Sequence, residues 1–354
     1  MNHRQLTFAR ELRGYSQTDL SSSIKGLSQS NLSKFEKGLS VLSEEVQKKI
    51  IDFLDFPVEF FDRKITSSIE NGNYRKRASV TKSDILKFEN RCKILGYLID
   101  EMSESIEWPD FNLSPLNVEE GYSPSYTANY NRKVLGLKKD EPINNICSIL
   151  EKHGIIIYEM DAYDKFDGIS FFTDKGFAVI VVNKSFSNDR KRFTISHELG
   201  HILLHNESNF PISDYRDEKT KEREANEFAS EFLMPANEIK NALRGITLGE
   251  VAKLKGYWLT SMASIIRRAK DLKCINDDRY TYFMIEMSRN GFNRKEPVEV
   301  PIDKPQRFKN GYLLFKNELL FDEDDFVIAM SLPKDILDEI FYFDRIVNLR
   351  VLKN

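Results

Sequence analysis

Residues 193–205 read Phe193-Thr194-Ile195-Ser196-His197-Glu198-Leu199-Gly200-His201-Ile202-Leu203-Leu204-His205. Within a helix spanning Arg192 to His205, two imidazoles four residues apart lie about 40° apart around the axis and one turn along it. Both His197 and His201 can therefore reach one ion, which is the spacing of zinc ligands on a helix. Glu198 follows the first of them and points across the open position of such an ion, where a carboxylate can take a proton from water. The chain has only five histidines, so their concentration here is informative.

A catalytic zinc site needs a third protein ligand. A histidine six residues after the second one would be one solution, but that position is Glu207. The next helical stretch, ending at Pro235, offers Glu222, Glu224, Glu227 and Glu231 instead. Its apolar face runs through Ala225, Phe228, Ala229 and Phe232, which favours Glu222, one turn earlier, with Glu224 second. Glu224, Glu227 and Glu231 are expected to lean towards solvent. Asn226, one turn beyond Glu222, is expected to hydrogen-bond a ligand imidazole. His205 lies a turn past His201 and off the ligand face, and reads as a packing or capping residue.

Outward from this block, three strand-like runs precede it at Ile155 to Met160, Gly168 to Phe172 and Phe177 to Asn183, after a helix near Ile143 to His153. The run Gly168 to Phe172 would suit an extended peptide adding as a further strand. Downstream, a helix pair near Leu248 to Lys255 and Ser261 to Leu272 reads as joined through Gly256. The last sixty or so residues alternate strand-like and helical patterns without a chemical signature. Tyr257 and Tyr280 are the tyrosines considered for oxyanion stabilisation, without a choice between them.

The N-terminus has a different grammar. Helices are expected at Arg4 to Arg13, Gln17 to Ile24, Gln29 to Glu36 and Glu44 to Leu54, with Leu20, Ile24, Leu27, Leu32 and Phe35 as a small core and a turn at Gly26. This is helix-turn-helix spacing. The second helix of the pair would enter the major groove with Gln29, Ser30, Asn31, Ser33 and Lys34, while Gln17 would meet phosphate. A Ser/Asn/Gly-rich stretch from Thr66 to Tyr74 then leads into a helix at Ser83 to Glu107, with Ile85, Phe88, Cys92, Leu95 and Ile99 on one stripe.

At 354 residues with 41% apolar side chains, the chain can fill more than one core. A net charge of −3 gives no global attraction to nucleic acid, although residues 1–49 carry eight Lys/Arg against five Asp/Glu. Apolar runs fall short of the roughly 20 residues of a membrane span, and no secretory-type leader is recognisable, so a cytoplasmic protein is expected. The three cysteines, widely spaced, suit reduced thiols rather than a disulfide framework.

Phe166-Asp-Gly-Ile-Ser170, Ile180-Val-Val-Asn183, Arg192 to His205 and Glu222-Arg-Glu-Ala-Asn-Glu-Phe-Ala-Ser-Glu-Phe-Leu-Met-Pro235 together resemble the ImmA/IrrE family of zinc metallopeptidases. The likeness runs over about residues 75–297, from Tyr74-Arg-Lys-Arg77 to Gly291-Phe-Asn-Arg-Lys-Glu-Pro297. It implies His197, His201 and Glu222 as ligands of Zn2+, Glu198 as the base, and a cytoplasmic transcriptional repressor as substrate. Ser16 to Gly38 is similar to the XRE, lambda-repressor-like family, which implies a DNA operator as partner. The expectation is a multidomain chain: an all-α helix-turn-helix domain at 1–65, a linker and spacer helix at 66–120, an α+β zincin-like metallopeptidase domain at 121–297, and a small C-terminal accessory domain at 298–354. Its expected function is a repressor-cleaving zinc endopeptidase coupled to sequence-specific DNA binding in stress-response or mobile-element gene regulation, with a second copy in a homodimer among the partners considered. The alternative is a DNA-binding regulator or antitoxin whose peptidase-like part is a sensor or scaffold.

Overall fold

A computed structural model describes residues 1–63, 82–162, 166–205 and 217–341. The expected linker at Thr66 to Tyr74, the Tyr74-to-Arg77 match and Glu207 lie outside them. Four helices open the chain: α1 (His3–Leu12), α2 (Gln17–Ser23), α3 (Gln29–Glu36) and α4 (Glu44–Leu54). Their starts are written in the sequence. Ser16 and Asp19 form a capping box on α2, and the Ser28 hydroxyl accepts from the Asn31 amide to cap α3.

The next helix, α5 (Lys82–Met102), corrects the reading of a spacer. Phe88, Cys92, Leu95 and Ile99 are buried as expected, but so are Ile94 and Leu98 off their stripe. A helix covered nearly all round is a core element. It ends at Met102 rather than Glu107, where the Trp108 indole N–H folds back to donate to the Ile99 carbonyl at 3.0 Å.

Helices α6 (Pro124–Val134) and α7 (Ile146–Glu151) lead into strands β1 (Ile155–Met160), β2 (Gly168–Phe172) and β3 (Ala178–Asn183). The sheet order is β1-β3-β2, with β3 parallel to β1 and antiparallel to β2, and Ser170 opposite Ile180. Then come α8 (Asn188–Leu204), α9 (Glu218–Leu233), α10 (Ala236–Ile239), α11 (Leu248–Trp258), α12 (Met262–Asp271) and α13 (Asp277–Arg289). Gly256 lies inside α11 and is not the link. The chain turns instead at Leu259, whose left-handed φ of 55° ends the helix. Three helices finish the described chain: α14 (Arg307–Asn317), α15 (Glu323–Met330) and α16 (Lys334–Ile340). The alternating strand-like pattern expected there corresponds to no strand among the described residues.

The sheet is buried on both faces, and each face belongs to a different core. Ile156, Ile169, Phe171, Val179 and Val181 join α5, the N-terminal helices and α14 to α16 in one cluster. Ile155, Ile157, Ala178, Ile180 and Val182 join α6 to α9 and α11 to α13 in the other. The C-terminal helices are therefore not a separate accessory body: Tyr97 donates its hydroxyl to the Met330 carbonyl at 2.8 Å, Tyr158 to that of Ile340 at 2.7 Å, and Arg13, just past α1, pairs with Asp335.

Candidate metal centre

Helix α8 lies against β2 and β3, and α9 crosses it closely enough to present one face to the histidines. Glycine permits both approaches. A Cβ on Gly200 would stand 3.2 Å from the Ala225 Cα and the Phe228 ring, and one on Gly168 of β2 would stand 2.5 Å from Thr194 and 3.3 Å from the Glu198 Cγ. Arg192, fully buried near the start of α8, is held by Asp303 and by the carbonyls of Leu259 and Ile143, which anchors the helix to the loops around it.

This packing gathers His197, His201 and Glu222 into one donor cluster. The two Nε2 atoms are 3.1 Å apart, Glu222 Oε1 is 3.4 Å from His201 Nε2, and Glu222 Oε2 is 3.6 Å from His197 Nε2. A tetrahedral ion with N and O donors at about 2.0–2.1 Å has donor–donor edges of about 3.3 Å. Two imidazoles and a carboxylate at that spacing fit zinc in both chemistry and size.

The electrostatics suit the same purpose. Burial pushes His201 down to about 3, so its imidazole is neutral at ordinary pH and carries a lone pair. Burial alone would raise Glu222, but hydrogen bonds from His197 and His201 outweigh it and hold the carboxyl well below the usual range. Glu198, 3% exposed, accepts from the Ser170 hydroxyl at 2.8 Å. Burial pushes it up to about 7, against the lowering influence of His197 and Ser170.

Three expectations for α9 need correction. Glu224 and Glu231 do not lean to solvent: both are buried, Glu224 within 2.9 Å of His205 Nε2 and Glu231 paired with Arg268. Asn226 donates to the Glu222 carbonyl at 2.7 Å, a bond within its own helix rather than one to an imidazole. The contact to a ligand imidazole comes from His205, whose Nδ1 lies 3.0 Å from His201 Nδ1. The sequence reading makes Glu224 only a second candidate for the third ligand and His205 a packing residue, and it gives neither their pairing nor a role for Ser170. The signal for the pair was a third histidine at the same four-residue spacing. Of the tyrosines considered for the oxyanion, Tyr257 donates its hydroxyl to the Asp140 carbonyl and Tyr280 lies under the Lys270 ammonium.

In the N-terminal module, Gln29, Ser30, Asn31 and Lys34 are exposed on α3 and Ser33 is half-buried. Gln29 donates to the Gln17 side chain at 2.9 Å, Gln17 donates to Glu36 at 2.7 Å, and Arg10 holds Glu36 at 2.6 Å. The two glutamines are thus brought together at the junction of α2 and α3.

Comparison with known proteins finds two regions of likeness. Residues 8–61 match the model of a helix-turn-helix domain, and residues 150–270 match that of the IrrE N-terminal-like domain, Peptidase_M78. These matches give the chain a helix-turn-helix domain and a metallopeptidase-like domain. The second of these is similar to the IrrE N-terminal-like domain. The chain is also similar to "Uncharacterized immunity region protein 2" of Bacillus phage phi105, at 35% identity over 89 residues, which covers 23% of this chain and 55% of that protein. The chain thus matches about half the length of this relative. No helix among the described residues is long and apolar enough to cross a membrane.

Proposed function

We propose that this chain is a zinc-dependent endopeptidase that cleaves a transcriptional repressor in the cytoplasm, with its helix-turn-helix bringing it to an operator or to its DNA-bound substrate. The donor set of His197, His201 and Glu222 beside a buried glutamate carries this reading. A zinc ion bound there would supply Lewis-acid polarisation of the attacking water and of the scissile carbonyl. Glu198 takes the proton from that water and delivers it to the departing amine. Ser170 fixes one of its oxygens, so the other addresses the reacting atoms. The β2 edge not bonded to β3 runs beside this carboxylate, and an extended substrate would pair with it by main-chain hydrogen bonds.

The test is expression with the repressors encoded beside its gene, with and without chelator. A discrete fragment is expected without chelator, and in Glu198→Gln it disappears while zinc is retained. Full cleavage by that variant would overturn the reading. A second reading, a DNA-binding regulator whose peptidase-like part is a sensor or scaffold, is favoured by the single core joining α1, α5 and the sheet. It requires operator binding that survives His201→Ala and the absence of any cleavage product.

A further inference from the structure

A metal-binding histidine is useful only if the nitrogen facing the ion carries no proton, and something must decide this. His201 turns Nε2 towards His197 and Glu222, and Nδ1 towards His205 Nδ1 at 3.0 Å. His205 in turn places Nε2 2.9 Å from Glu224 Oε2. All three groups are at least nine-tenths buried, with His201 and His205 only 2% and 3% exposed. Water is therefore a poor substitute for any of these partners.

Two ring nitrogens in contact share one proton, so the tautomers of His201 and His205 are locked in series. If His205 carries its proton on Nε2, its Nδ1 is an acceptor, His201 must carry its proton on Nδ1, and His201 Nε2 is a lone pair. If His205 carries it on Nδ1, every assignment reverses, and His201 presents N–H where a metal ligand is needed. A bare carboxylate oxygen has no proton to give, so Glu224 Oε2, set 2.9 Å from His205 Nε2, matches the first arrangement and not the second.

We infer that Glu224 and His205 are positioning residues that set the tautomer of His201, so that α9 supplies both a ligand, Glu222, and, two residues on, the group that makes a ligand of His201. The inference rests on the proposed metal site, but the tautomer order holds with or without the ion.

The experiment uses the full chain, labelled with 15N-histidine, and Glu224→Gln. Glutamine keeps the shape of the side chain but can offer either oxygen or NH2, so it no longer selects. Long-range 1H–15N correlation spectra of the metal-free wild type are expected to show His201 protonated on Nδ1 and His205 on Nε2. Competition against a chromophoric chelator is expected to show zinc bound about 10–100-fold more weakly by Glu224→Gln, with the circular dichroism and urea midpoint of the metal-free variant unchanged. Glu224→Asp, which restores a pure acceptor, is expected to recover part of that loss. A wild-type His205 protonated on Nδ1, or zinc affinity within about twofold in the glutamine variant, would overturn the inference. Absence of zinc binding by the wild type would instead remove the metal reading, while the spectra still decide the tautomers.

Discussion

Glu198 is buried beside the donor cluster, and this has a stability consequence that does not require knowing the substrate. Its carboxyl is raised from 4.5 to about 7, chiefly by burial. Each pKa unit corresponds to about 1.36 kcal/mol, so full ionisation in the folded state costs about 3 kcal/mol. The folded protein binds the proton more tightly than the unfolded chain, so stability is greatest below pH 4.5, falls as pH rises through 7, and is level above. Glu198→Gln keeps an acceptor for the Ser170 hydroxyl and removes the charge. Urea unfolding of chelator-treated wild type and variant at pH 4.5 to 8.5 should therefore show a difference near zero at the acid end, growing to about 3 kcal/mol in favour of the variant at the alkaline end. The other titrating groups of the site are common to both proteins and largely cancel. Adding zinc should shrink the difference, because the cation stabilises the ionised base. A difference that stays constant across the range would refute the assignment of Glu198 as a buried, protonatable group.

Gly200→Val should push α9 from α8, lowering stability by about 1–3 kcal/mol and weakening zinc binding, read by thermal melts and chelator competition. Glu231→Ala leaves Arg268 buried without its carboxylate and should cost about 3–5 kcal/mol in urea unfolding. Gln29→Ala should reduce discrimination between operator and mismatched DNA by about 1–3 kcal/mol in gel-shift titrations, with non-specific affinity and its salt dependence nearly unchanged.

Much of this architecture could be read from the sequence because local rules and the tertiary fold agree. The four N-terminal helices, the three strands and the ligand-bearing helices all follow apolar periods closed by caps and turns. Those signals fail where a distant partner changes what a residue wants. Glu224 and Glu231 look like a solvated helix face because their partners, His205 and Arg268, lie 19 and 37 residues away. Helix α5 satisfied a one-stripe test, and nothing local announced that Ile94 and Leu98 on its other sides would also be covered. At Gly256 the expected break lost to the packing of α11, and the turn fell to Leu259, a residue with no intrinsic taste for a left-handed backbone. The aromatic-rich C-terminal helices resembled strands because Phe308, Phe315 and Phe326 were needed to fill a core made by the rest of the chain.

The sheet buried on both faces also limits how this molecule can be dissected. A fragment cut at 121 and 297, the boundaries that motif content suggests, would keep the helices that carry the proposed ligands but strip α5 and α14 to α16 from Ile156, Ile169, Phe171, Val179 and Val181. Three strands with one apolar face bared to water would pair with other copies rather than stay monomeric. Recombinant work on the metal centre should therefore begin from the full-length gene, and inactivity of an excised fragment would say more about solubility than about chemistry.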